Sequence, residues 1–122
     1  MAEFAKAANI TVEQLGNVFD FKEQDLTFIA PLTGSVADRQ VEFSECVLVG
    51  YELVYRNKWT KASKLSEKMD DHGLDLRNLA RNLTRHSDIF RKTGQKRGSK
   101  YKLTDIGKRA ALELVRRIAT SA

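Results

Sequence analysis

One cysteine, one proline and no apolar run long enough to span a bilayer set the first limits on this chain. Cys46, standing alone, excludes an internal disulfide and suits a reducing compartment. The densest apolar stretch, Cys46 to Tyr55, is broken by Gly50 and Glu52, and falls short of the roughly 18 residues a spanning helix needs. Met1 to Lys6 has neither the basic start nor the apolar core of a secretory leader, so a cytoplasmic protein without a membrane partner is expected. Repeats, low-complexity tracts and Pro/Gly/Ser linkers are absent too, and 122 residues are enough to bury one core without staples.

Residue patterns that carry catalysis are equally scarce. The two histidines, His72 and His86, have no nearby cysteine and no metal-ligand spacing, and read as surface or helix-end residues. No histidine base is placed to serve a serine nucleophile. Gly94 to Lys100 superficially suggests a phosphate-binding loop but lacks the Gly-x₄-Gly-Lys-Ser/Thr order. Glu42, Glu45 and Glu52 read as a solvated helix face, and Cys46 as a buried inert thiol. Neither an enzyme nor a cofactor or metal site is expected.

Positive charge is what the chain has, and it is unevenly spread. Residues 1–57 hold four Lys/Arg against nine Asp/Glu, net −5, whereas residues 58–122 hold seventeen against seven, net +10. The density peaks at 91–102, where Arg91, Lys92, Lys96, Arg97, Lys100 and Lys102 meet no acid until Asp105. Gly94 and Gly98 allow the positive φ of a chain reversal, and Ile89-Phe90 and Tyr101 to Leu103 supply apolar anchors for two strands. A basic hairpin results, and closely spaced cations on a ribbon call for a polyanion.

Local signals place the other elements. Thr11 caps a short helix carrying Val12, Leu15, Val18 and Phe19, and Leu26 to Ile29 has strand composition ended by Pro31 and Gly34-Ser35. Val41 to Tyr55 fits both helical and alternating spacing; its length and the helices that follow favour helix. Thr60 caps a helix with Ala62, Leu65 and Met69 on one face and Gly73 beyond its end. Asp75 caps a second helix, Leu76 to about His86, with Leu76, Leu79, Ala80 and Leu83 on its apolar arc. Opposite that arc lie Arg77, Asn78, Arg81, Asn82 and Arg85 with no carboxylate among them, side chains whose donors and acceptors match guanine and adenine edges. Thr104 caps the last helix, whose stripe Ile106, Ala110, Leu114 and Ile118, widened by Ala111, Leu112 and Val115, is broader than one contact needs; it reads first as core alone, with a division between core and a subunit interface as the alternative.

The order helix, helix, helix, basic hairpin, helix resembles the winged helix-turn-helix superfamily. Tyr101-Lys102-Leu103-Thr104-Asp105-Ile106-Gly107 is similar to the Tyr-x-Leu-Thr-x-x-Gly that ends the wing in MarR-like and PadR-like regulators. The resemblance implies a mainly α fold with a small β-hairpin: a winged helix domain over 41–122 and an N-terminal extension over 1–40 available for dimerisation or partner binding. It also implies that helix 76–86 reads the major groove, with Lys96, Arg97 and Lys100 as wing contacts in wing 89–103. Lys61, Ser63 and Lys64 are then expected at backbone phosphates. A sequence-specific double-stranded DNA-binding protein, a small homodimeric transcriptional regulator, follows as the expectation. The alternative is a winged-helix interaction subunit of a larger nucleic-acid-processing complex, docking a protein partner through its acidic first half. RNA or single strands come third, because Phe90 and Tyr101 are better used as hairpin anchors.

Overall fold

The computed structural model describes residues 1–121. It opens with two short helices, α1 (Ala2–Ala7) and α2 (Val12–Leu15). Thr11 caps α2 as expected, its Oγ1 accepting the Gln14 amide at 3.0 Å while Gln14 Oε1 accepts the Thr11 amide. The helix is shorter than its pattern suggests: Val18 is buried beyond its end and Phe19 begins β1 (Phe19–Phe21). β1 pairs antiparallel with β2 (Leu26–Phe28), the strand expected at 26–29, in the register Phe19↔Phe28.

α3 (Val36–Tyr55) is the central element, capped by Ser35 Oγ on the Asp38 amide. It begins five residues before the stretch that read as helix or strand. Every residue from Val41 to Tyr51 except Glu42 is buried, so α3 carries apolar side chains on all its sides. That explains the double periodicity, because a helix surrounded by neighbours keeps no polar face to mark its period. α1 and β2 pack on it, as do the later helices α5 (Leu79–Thr84) and α6 (Asp105–Ser121). The 40/41 boundary therefore falls inside α3, and Phe4, Leu15, Phe19, Leu26 and Phe28 share one core with Val47, Leu65, Leu83 and Val115.

Thr60 does not cap a helix. With Lys61 it forms the two-residue strand β3 (Thr60–Lys61), its side chain buried, and α4 (Ala62–Asp71) starts without a side-chain cap. The Ala62 amide instead donates to the Ser99 carbonyl at 2.9 Å, so a partner distant in sequence satisfies one amide that the helix start leaves free. Gly73 takes φ +83 just past the end of α4, as expected of a helix-terminating glycine. The second helix is shorter than expected: α5 covers only Leu79–Thr84, entered through Asn78 in the left-handed region (φ 63). Of its expected apolar arc only Leu83 is buried; Leu79 is half-buried, and Leu76 and Ala80 are exposed.

β4 (Phe90–Thr93) and β5 (Lys100–Leu103) form the basic hairpin, and β3 joins it to give a three-stranded antiparallel sheet in the order β3-β5-β4. Gly94 has the positive φ expected of it (+78), but Gly98 does not; Lys96 is the second left-handed residue of the turn. α6 (Asp105–Ser121) closes the chain, Thr104 Oγ1 accepting the Gly107 amide at 2.9 Å. Its buried side is Gly107, Ala111, Leu114, Val115 and Ala119, rotated from the expected stripe, and Ile106 is left 56% exposed. The fold is thus mainly helical with small antiparallel sheets. No helix among the described residues is long and apolar enough to cross a membrane.

Candidate nucleic-acid interface

The motif Tyr101-x-Leu103-Thr104-x-x-Gly107 has a physical basis at each position. Tyr101 and Leu103 are the inward residues of β5, both buried. Thr104 ties the hairpin to α6: its amide donates to the Ile89 carbonyl at 2.9 Å and its hydroxyl donates to the Asp88 carbonyl. Gly107 is required because α6 passes directly over the start of β4; a Cβ there would lie 2.2 Å from the Ile89 carbonyl oxygen. Local capping and one close backbone approach together fix where the hairpin leaves the core.

Cations reach the surface from three elements. On α5 and its approach, Asn78, Arg81 and Arg85 are exposed, and so is Arg77. Arg77 is not free: Asp75 accepts its backbone amide at 2.8 Å and holds its guanidinium through Nε (2.9 Å) and Nη2 (2.6 Å). This pair is open to solvent, where such contacts contribute little to stability. At the start of α4, Lys61 and Ser63 are exposed. Lys64 is half-buried and bound to Asp25 at 3.1 Å, a partner the sequence did not suggest. On the hairpin, Lys96, Arg97 and Lys100 are exposed together with Arg91 and Lys92.

Asn82 departs from its expected role. It is 8% exposed, and its Nδ2 donates to Gln40 Oε1 at 2.7 Å. Gln40 is fully buried in α3, and its own Nε2 donates to the carbonyls of Asp75 (2.6 Å) and Arg77 (3.0 Å). One amide side chain thus holds the approach to α5 and the helix itself. It also explains the late start of α5, since the two carbonyls point to Gln40 rather than along a helix. Nothing local in the sequence marks Gln40; a glutamine opposite an asparagine is visible only once the helices cross.

Asp25 and Glu45 carry the largest carboxylate shifts, in opposite directions, and burial raises Glu42 alongside Glu45. Asp25 accepts hydrogen bonds from Tyr51 Oη (2.6 Å), Lys64 (3.1 Å) and its neighbour's amide (2.8 Å), and pairs with Lys68 at 2.7 Å. Burial raises its pKa, but Lys68, Tyr51, Lys64 and the Leu26 amide outweigh burial and hold it well below the usual carboxylate range. Glu45 was expected on a solvated face and is 7% exposed instead. Burial, then the neighbouring Glu42, push its carboxyl up to about 7. Glu52 is ion-paired with Lys108, and Glu42 is half-buried near Arg117. Of the other titratable residues named from sequence, Cys46 is buried and its thiol pushed well up by burial, His72 ends α4 with Nδ1 3.0 Å from the Phe28 carbonyl, and His86 is exposed.

The signs of these two shifts give opposite pH dependences. Native Asp25 binds its proton less readily than unfolded Asp25, so its contribution is present above about pH 4 and is lost as pH falls below that value. Native Glu45 binds its proton more readily, so stability declines as pH rises from about 4.5 to about 7. Urea midpoints measured from pH 2.5 to 8 are expected to peak near pH 4–5. Asp25→Asn should flatten the acid limb and Glu45→Gln the neutral limb. A profile unchanged by either substitution would contradict both assignments.

Comparison with protein-family models, with curated proteins and with solved structures gives no match to this chain.

Proposed function

We propose that this protein is a winged helix-turn-helix protein that binds double-stranded DNA with sequence preference, acting as a small, cytoplasmic, homodimeric transcriptional regulator. In this reading α5 enters the major groove and presents Arg81 and Arg85 to base edges, with Asn78 beside them. The hairpin β4–β5 is the wing, and Lys96, Arg97 and Lys100 contact the backbone or minor groove. Lys61 and Ser63 set register at phosphates. Asn82 supports α5 from within. Arg77 and Lys64 reach DNA only by leaving Asp75 and Asp25, so they contribute less than the free cations. Two copies fit the reading, since one short helix covers a single half-site.

The observation that carries the proposal is the β3-β5-β4 order joined to the Ala62–Ser99 hydrogen bond. It holds a six-cation hairpin against the start of α4, while Gln40 holds α5 to the same central helix. Charges from separate elements then move as one body, which is what phosphate contacts in fixed register require.

Selection from a randomised duplex pool tests the reading, with an enriched motif expected. If about five cations contact phosphates, log K should fall against log salt with a slope near −4 to −5. Arg81→Ala should cost about 1–3 kcal/mol on the selected site and much less on random duplex. Arg97→Ala should weaken both more evenly. A flat salt response would support the interaction-subunit reading, and equal losses on all duplexes from both variants would remove α5 as a reading helix.

A further inference from the structure

We propose that the outer face of the β3-β5-β4 sheet is a second nucleic-acid site that takes a single strand, with one unpaired base stacked on Trp59 and its flanking phosphates held by Lys61, Arg91, Lys100 and Lys102. Strand alternation defines the face. Thr60, Phe90, Tyr101 and Leu103 are buried beneath the sheet, so Lys61, Arg91, Thr93, Lys100 and Lys102 project from the other side. The register makes like charges direct neighbours: Lys61 stands opposite Lys100, and Arg91 opposite Lys102. Such pairs destabilise a ladder, and a bound polyanion relieves both.

Extending the β3–β5 register by one residue puts Trp59 opposite Lys102, whose ammonium lies 4.9 Å from the centre of the indole ring. Trp59 is half-buried and borders two surface hollows. One is lined by Lys58, Arg91 and Lys102 and bordered by Lys92, whose own ammonium lies on the other face 5.9 Å from the Tyr101 ring; Glu52 and Asp105 are also present, and Glu52 is tied to Lys108. The other is lined by Lys61 and Lys100, by Lys64 in its pair with Asp25, and by the uncharged amides of Gln24 and Asn57. An aromatic ring between two cationic hollows matches a strand whose phosphates alternate with a splayed base. Lys102, on its flexible stem, moves from the ring to a phosphate when a base replaces it. A duplex keeps its bases stacked and offers none to the ring. The site shares Lys61 and Lys100 with the proposed duplex contacts; Trp59, Arg91 and Lys102 belong to it alone.

Trp59 is the only tryptophan, so its emission reports the site directly. The full chain is titrated with a 15-nucleotide oligothymidylate, with a blunt duplex of equal length and with inorganic polyphosphate. Saturable quenching by the single strand, and little by the other two, is expected. By fluorescence anisotropy of a labelled oligothymidylate, Trp59→Ala should weaken binding about 5- to 150-fold, the range that one stacked base supplies. Because Trp59→Ala removes half-buried area, the exposed-side pair Arg91→Ala/Lys102→Ala provides a second variant, expected to lose at least tenfold and to reduce the salt slope by about 1–2. Arg81→Ala should leave single-strand quenching intact, so failure of α5 as a duplex reader would not register here. Absence of quenching, equal quenching by polyphosphate, or stronger quenching by duplex would each overturn the site.

Discussion

Gln40→Leu is expected to lower the unfolding free energy by about 2–4 kcal/mol, because it fills the space of the glutamine but leaves one buried and two part-buried polar groups without a partner. Those groups are the carbonyls of Asp75 and Arg77 and the side-chain amide of Asn82. Each orphaned group costs roughly 1–3 kcal/mol, partly recovered where water reaches the loop. Urea unfolding measures the loss, and a change below about 0.5 kcal/mol would show that the clamp is not what holds α5. The same variant separates position from charge. Every cation remains, so affinity for polyphosphate should persist while preference for a selected duplex is lost, because the approach to Arg81 is no longer fixed.

Gly107→Ala should be comparably severe, at about 3 kcal/mol or more, although alanine is the better helix former by about 1 kcal/mol. The added methyl would meet the Ile89 carbonyl oxygen at 2.2 Å and its carbon at 2.9 Å. Both are backbone atoms, and the same carbonyl accepts the Thr104 amide. Relief requires lifting α6 from the core or breaking the turn that begins it. Gly98→Ala is the control, since a Cβ there meets nothing within 4 Å and its φ is ordinary. It is expected to be neutral or slightly stabilising through the unfolded chain. Thermal or urea unfolding of the two variants compares them directly, and similar stabilities would contradict the close approach.

The two residues illustrate different kinds of legibility. Gly107 was visible as part of a motif, though its reason, a crossing over Ile89, was not. Gln40 carried no signal, because its partners lie 35 to 42 residues away and its type is ordinary on a helix. Trp59 belongs with Gln40, since its place opposite Lys102 depends on β3, a strand of two residues whose first member reads locally as a helix cap. Glu45 shares this limit: its sequence spacing suits a solvated face, and only the packing around α3 buries it.

By itself the sequence determined what short-range chemistry controls. Thr11 and Thr104 cap helices, Gly73 ends one, Gly94 turns the hairpin, and the cations of residues 58–122 outweigh the acids whatever the fold. Tertiary structure alone decided that Thr60 is a strand residue, that α5 begins at Leu79, that Asn82 faces inward and that Asp25 takes Lys64 out of the free cations. It also decided that the first 40 residues share the core of the rest. The division follows from range: a cap or a glycine turn satisfies groups within a few residues of itself, whereas burial, strand pairing and ion pairing depend on which distant segment the folded chain brings alongside.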